Sequence, residues 1–228
     1  MSITFYLPSK TIHNFDIERT FIKQGLILMK TKKYKFINLY IAVGLVLITL
    51  TSSAGAQILA NKYDTKNHSK AKGVWMTVRY PEVWQAKEGE RPNIVQKFVG
   101  DYRGVDGMLM LQIKTAEADI ENECKEMSAK EWGETFEEPG ITVLNPRPTR
   151  HENQPSAILD FSQFAERAGM SMHGYYRVMA VCYKRNLIMA WCGCVAPTSA
   201  QKVRENINVL APLCTQYFNS VVLMDKYK

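Results

Sequence analysis

The stretch that most constrains this chain is MKTKKYKFINLYIAVGLVLITLTSSAGAQ, Met29 to Gln57. It opens on Lys30, Lys32, Lys33 and Lys35, continues as an apolar run from Ile37 to Leu50, and closes on Ala54-Gly55-Ala56. Basic head, apolar middle and small-residue tail, in that order, mark a secretory signal segment cleaved here between Ala56 and Gln57. The run is shorter than the roughly 18 apolar residues that argue for a membrane span. The alternative is an uncleaved anchor, because weakly polar residues would stretch the segment to Ala60. No cysteine follows the junction directly, which argues against a lipid anchor. Residues 1–28 show no clear period and read as an unstructured leader extension, with Met29 as a candidate start and 29–56 as the signal peptide. The expected destination is the periplasm or the medium.

Setting this leader aside changes the charge. The chain carries +7 from 29 Lys and Arg against 22 Asp and Glu, but seven of those cations and two of those acids precede residue 57. The remainder is near +2, so composition gives no case for nucleic-acid binding. What asymmetry remains is local: Glu117 to Glu138 is acid-rich against Lys125 and Lys130, a pattern that reads as a solvated helix face.

Residues 57–73 are polar and aperiodic and are expected to form a flexible lead-in, with one folded domain over 74–224. Val74, Met76, Val78 and Tyr80 alternate with polar neighbours as a first strand ended by Pro81. IVQKFVG (94–100) and GMLMLQIK (107–114) complete a three-strand meander, the latter with Leu109, Leu111 and Ile113 inward. Ser128 and Glu131 have capping-box spacing and open a helix on which Trp132 and Phe136 share a face. Strands follow at 141–145, 157–164, 173–183 and 187–195, the proline-bearing 145–155 serving as a connection. Thr198 and Gln201 suggest a second capping box, and Val203, Ile207, Leu210, Cys214, Tyr217 and Val221 make a helical stripe that Pro212 should kink or split. The expected fold is α+β: an antiparallel β-sheet of about six or seven strands flanked by two main helices, in the order β-β-β-α-β-β-β-β-α.

Tyr80-Pro81 with Trp84 at the end of the first strand, the Pro155-Ala-Ile-Leu-Asp-Phe strand, and a closing helix that ends in Phe218-Asn-Ser-Val-Val resemble the PsbP-like α/β/α sandwich family over roughly 74–224. The resemblance implies a binding or assembly module; that family includes an extrinsic photosystem II subunit and assorted bacterial envelope proteins. It carries over no catalytic, cofactor or metal residue.

The residues themselves offer little chemistry. There is no G-x-S-x-G, H-E-x-x-H or phosphate-cradling glycine loop, so no catalytic residue and no cofactor are assigned. Met108-x-Met110 and Met170-x-Met172-His173 present thioether and imidazole groups suited to Cu(I), the basis of a copper-handling alternative. Against it, methionine readily fills irregular gaps in cores. Five cysteines remain: Cys124, Cys182, Cys192, Cys194 and Cys214. Giving the turn Lys184–Asn186 three residues sets the face of Tyr176, Val178, Ala180 and Cys182 against that of Ile188, Ala190, Cys192 and Cys194, with Cys182 opposite Ile188. A closing helix running straight back along the last strand then brings Cys214 level with Cys182. The expected bridge is Cys182–Cys214, with Cys124, Cys192 and Cys194 unassigned and C-G-C at 192–194 as a strained redox alternative.

The functional expectation is an exported, non-enzymatic module acting on an envelope or secreted protein, with no nucleic-acid partner and membrane contact only through an uncleaved signal segment. The signal reading has a direct check. Expressed with its leader in a Gram-negative host, the protein should mature to an N-terminus at Gln57, as read by N-terminal sequencing; product retaining Lys30–Leu50 would contradict it.

Overall fold

The computed structural model describes residues 59–167 and 169–227; the leader extension, the signal segment and the Ala56–Gln57 junction lie outside them. The described elements are strands β1 (Asn61–Asp64), β2 (Met76–Tyr80), β3 (Gln85–Glu88), β4 (Ile94–Tyr102) and β5 (Val105–Thr115), helices α1 (Glu121–Glu126) and α2 (Ala129–Glu134), strands β6 (Ile141–His151), β7 (Gln154–Arg167), β8 (Met170–Tyr183) and β9 (Asn186–Ala196), helix α3 (Ala200–Asn219) and strand β10 (Val222–Leu223). Seven strands form one antiparallel sheet in the order β3-β4-β5-β9-β8-β7-β6, and β2 sits between β1 and β10 in a small second sheet. Helix α3 and the small sheet cover one face of the large sheet. Helices α1 and α2 lie over β6, β7 and β8 on the other. The chain is α+β, as expected, in three layers.

Burial explains the layers. On the α3 side, Phe98, Leu109, Leu111, Ile113, Ile188 and Ala190 meet Val203, Ile207, Leu210, Leu213 and Tyr217, all almost fully buried. Each such side chain contributes about 1.5–3 kcal/mol when withdrawn from water, so packing rather than helix propensity holds α3 in place. Of the expected kink or split at Pro212, the split does not occur: α3 runs unbroken from Ala200 to Asn219. Pro212 and Asn208, whose carbonyl loses its partner to the proline ring, are both on the exposed side of the helix, where the lost bond costs least. The helix starts one residue later than expected. Ser199 is its N-cap, accepting from the Lys202 N–H at 3.2 Å, and Gln201 turns instead toward Glu205. The box at α2 is present as expected, with the Ser128 N–H donating to Glu131 Oε2 at 2.7 Å.

Several expected boundaries are corrected. The 57–73 lead-in is not a free segment from residue 59 onward: Leu59, Thr65 and Ala71 are buried, β1 pairs with β2, and the Thr65 hydroxyl donates to Val74 O at 2.7 Å. Polar composition hid a strand whose hydrogen bonds run through the backbone. β2 belongs to the small sheet rather than to a meander with β4 and β5; β3, exposed along its whole length, takes the place beside β4. The proline-bearing 145–151 stretch is strand, not connection. Pro146 and Pro148 are tolerated because β6 is an edge strand, and the ladder shifts register between Leu144 and Arg147.

The largest correction concerns β8 and β9. Tyr183 pairs with Asn186, so the turn uses two residues, Lys184 and Arg185, and Cys182 lies opposite Leu187 rather than Ile188. Side chains alternate along a strand, so one residue less in the turn sends the two matched sets to opposite faces. Cys182 faces the α1–α2 layer with Leu187 and Met189, whereas Cys192 and Cys194 face α3. The expected Cys182–Cys214 bridge is therefore replaced by Cys124–Cys182 (Cα–Cα 6.4 Å) and Cys192–Cys214 (5.3 Å). Helix α3 does not retrace β9 either. It crosses β9, β8, β5 and β2, so part of its rise runs across the strands.

Candidate functional site

Two-residue alternation places Phe161 of β7, Tyr176 of β8 and Trp191 of β9 on the α1–α2 face of the large sheet. Trp132 of α2 and Phe136 just beyond it extend them. Ring centroids run 6.5 Å from Trp132 to Phe136, 5.7 Å to Phe161, 5.1 Å to Trp191 and 5.9 Å to Tyr176. Edge-to-face and tilted contacts of this kind contribute about 0.5–1.5 kcal/mol each beyond burial. The row is buried at its Trp132 end and half-buried at Trp191. The Trp191 indole N–H is a buried donor with no acceptor among the described residues.

Two glycines let the row form. The Tyr176 ring lies down against Gly174 and Gly193: a Cβ at Gly193 would stand 2.3 Å from the Tyr175 carbonyl oxygen and 2.6 Å from Tyr176 Cδ1, and one at Gly174 2.9 Å from Tyr176 Cε2. C-G-C at 192–194 thus carries its glycine for close packing. Its cysteines do not pair: Cys192 is bonded to Cys214, and Cys194 is free, buried and donates to Val203 O, its thiol pushed up to about 11 by burial. So protonated a thiol is a poor nucleophile.

The methionines border this row. Met108 and Met110 on β5 are opposite Gly193 and Trp191, half-buried on the same face. Beyond Phe164, whose N–H donates to Gly140 O, and His173, β7 and β8 pair only with one another, making an arm that projects past β6 and β9. Met170 and Met172 are on the arm, on the face that Tyr176 occupies. Met170 is 54% exposed, and Val195 on β9, opposite Gly174 and four strand positions from Met170, is 42% exposed. His173 points to the opposite face, where its ring meets Phe164 at 5.1 Å. Met108 and Met172 stand four strand positions and two strands apart, roughly 16 Å. The five residues singled out as copper ligands are therefore not brought to one point, and among the described residues no three His, Cys, Asp or Glu side chains cluster as a metal site.

A polar rim runs along β3 and β4. Lys87 and Lys97 are cross-strand neighbours, and Lys97 Nζ is 2.9 Å from Glu90. Farther along β5, burial lowers the Lys114 pKa while the Glu138 carboxylate works against it. The aromatic row went unread in the sequence because its members come from four elements. Period-two spacing from Tyr176 and the paired glycines were the available signals.

No family model matches the sequence. No curated protein matches it either. Among solved structures, the fold is similar to that of cyanobacterial PsbP (CyanoP) from Synechocystis sp. PCC 6803, with a TM-score of 0.50 and 14% identity over 76% of this chain and 98% of that one. The likeness is one of fold.

The close fit of Tyr176 generates a paired prediction. Gly193→Ala should destabilise the protein by about 2 kcal/mol or more, since backbone and ring must both move. Gly133→Ala in α2, where the added Cβ meets only Pro146 at 3.5 Å, should be neutral or stabilising by up to about 1 kcal/mol. Denaturant unfolding followed by tryptophan fluorescence checks both; equal effects would contradict the role given to Gly193.

Proposed function

We propose that the chain is an exported, non-enzymatic PsbP-like module that binds an apolar segment of another envelope or secreted protein through the methionine-bordered aromatic face. The observation that carries this reading is the continuity of that face. Half-buried Met108, Met110 and Trp191 lead through Tyr176 and Gly193 to exposed Val195 at the end of β9 and, farther along β8, to half-buried Met172 and exposed Met170 on the projecting arm. Flexible thioethers suit a surface that must fit partners of differing shape, and contiguous exposed apolar groups mark interaction sites more often than isolated ones. The two disulfides fit an oxidising compartment, in keeping with export. The fold likeness to cyanobacterial PsbP supports the family assignment.

The test places a photoreactive residue at Val195 or at Met170, with Thr215 on the outer side of α3 as the control. In envelope extract, the first two positions should cross-link the same protein and the control should not. Adducts equal at all three positions, or none at Val195 and Met170, would contradict the assigned face. A turnover abolished by one point change would refute the non-enzymatic part, and stoichiometric Cu(I) uptake lost in Met→Leu variants would favour copper handling instead.

A further inference from the structure

We infer that Cys124–Cys182 is a reducible latch on the α1–α2 layer, while Cys192–Cys214 is a permanent staple. The inference stands without the binding reading above, because it concerns only access to one disulfide and what that disulfide holds.

Access separates the two bridges. Cys124 lines a small cleft of about 50 Å³ between α1, α2 and the β6–β7 hairpin, bordered by Lys125, Trp132, Arg150 and Ser156. A cleft of that size is far below the roughly 300 Å³ of an organic-ligand site, yet Cys124 of this bridge lines it. Cys124 is 8% exposed, against 1% for Cys192 and 0% for Cys214, which lie beneath α3. Two cations, Lys125 and Arg150, border the cleft, and no carboxylate lines it. Glu121 Oε1 lies 3.9 Å from Lys125 Nζ and partly neutralises it, and Glu123 and Glu126 share α1 with Cys124, while Arg150 is exposed on the edge strand. The attacking species in disulfide exchange is a thiolate, which Lys125 and Arg150 attract and the α1 carboxylates oppose.

The chemistry needs a thiol reductant, either one dithiol or two monothiol molecules that end as a disulfide. One of its thiolates attacks Cys124 Sγ; the Cys124–Cys182 bond breaks, and Cys182 leaves as a thiolate that takes up a proton. The second thiol of the reductant then displaces Cys124 from the mixed disulfide, so the protein gains two electrons and two protons and the reductant ends as a disulfide.

What the bridge holds gives the step its consequence. Helices α1 and α2 have six residues each, and the N-cap of α1, Ile120, makes no side-chain capping bond. Helices this short are not stable alone. Near its start α1 is tied to the β8–β9 turn by backbone bonds, Ala116 N–H to Arg185 O at 2.8 Å and Ile120 N–H to Lys184 O at 3.0 Å. Between that anchor and the start of β6 at Ile141, the covalent tie to the sheet is Cys124–Cys182. Reduction leaves residues 121–137 held only at their two ends, by that anchor and by the Gly140 carbonyl that accepts from the Phe164 N–H at 3.1 Å, so that they can bow off the sheet between them, lifting Trp132 and Phe136 off Phe161 and uncovering Ala157, Leu159 and Phe161.

The test treats the oxidised protein with limiting dithiothreitol, quenches by alkylation at intervals and maps the labelled cysteines. Cys124 and Cys182 should label together, at least about tenfold sooner than Cys192 and Cys214. In that half-reduced state, amide hydrogen exchange should rise over 121–136 and stay unchanged in α3. In low salt, Lys125→Glu with Arg150→Glu should slow reduction by anionic glutathione about threefold or more and leave reduction by cationic cysteamine unslowed. Simultaneous labelling of all four cysteines, earlier labelling of Cys192 and Cys214, or unchanged exchange over 121–136 would overturn the inference. The Cys124→Ala, Cys182→Ala double variant keeps the other staple and should reproduce the raised exchange; wild-type exchange in that variant would equally overturn it.

Discussion

The two-residue turn at Lys184–Arg185 is the constraint on which most of this molecule depends. It pairs Tyr183 with Asn186 and so fixes which side chains of the central β8–β9 hairpin face which layer. With that parity, Cys182, Met189 and Trp191 point toward α1 and α2, while Ile188, Ala190, Cys192 and Cys194 point toward α3. Each disulfide then joins a different strand of the hairpin to a helix on a different side. A three-residue turn would exchange the two faces of one strand against the other. It would bury Cys192 beneath α1 or Cys182 beneath α3, and it would break up the aromatic row.

The same parity makes the binding face and the latch parts of one surface. Gly193 comes to the α1–α2 side because its neighbours Cys192 and Cys194 face the other way, and its missing side chain gives Tyr176 a place to lie. Trp191, two residues earlier, joins the row in the middle. Helices α1 and α2 cover the β6–β8 end of this surface, and the Met108–Met110 and Met170–Val195 end lies to one side of them. The aromatic row thus passes from a helix-covered region into one bordered by flexible thioethers, with one bridge holding the cover down.

Much of this was legible in the sequence where one face of an element is polar. The alternation of β5, the stripe of α3 and the box at Ser128 and Glu131 each contrast buried with exposed positions, and each stands as read. β8 and β9 offered no such contrast. From Gly174 to Tyr183 only Arg177 is not buried, since both faces are covered, so hydrophobicity could not choose between registers. The disulfide pairing failed with the register. β1 and β3 were missed because their residues are largely polar or exposed and their role is to pair backbones. The methionine motifs were visible as spacing, but whether they converge depended on strand order, which places them roughly 16 Å apart along one face.

The cysteine connectivity of the exported, non-reduced protein reports that parity most directly. Peptide mapping under non-reducing conditions should recover Cys124 linked to Cys182, Cys192 linked to Cys214, and Cys194 as a free thiol. A Cys182–Cys214 peptide would require both residues on one face of the sheet and would contradict the register, the glycine-floored aromatic row and the latch together.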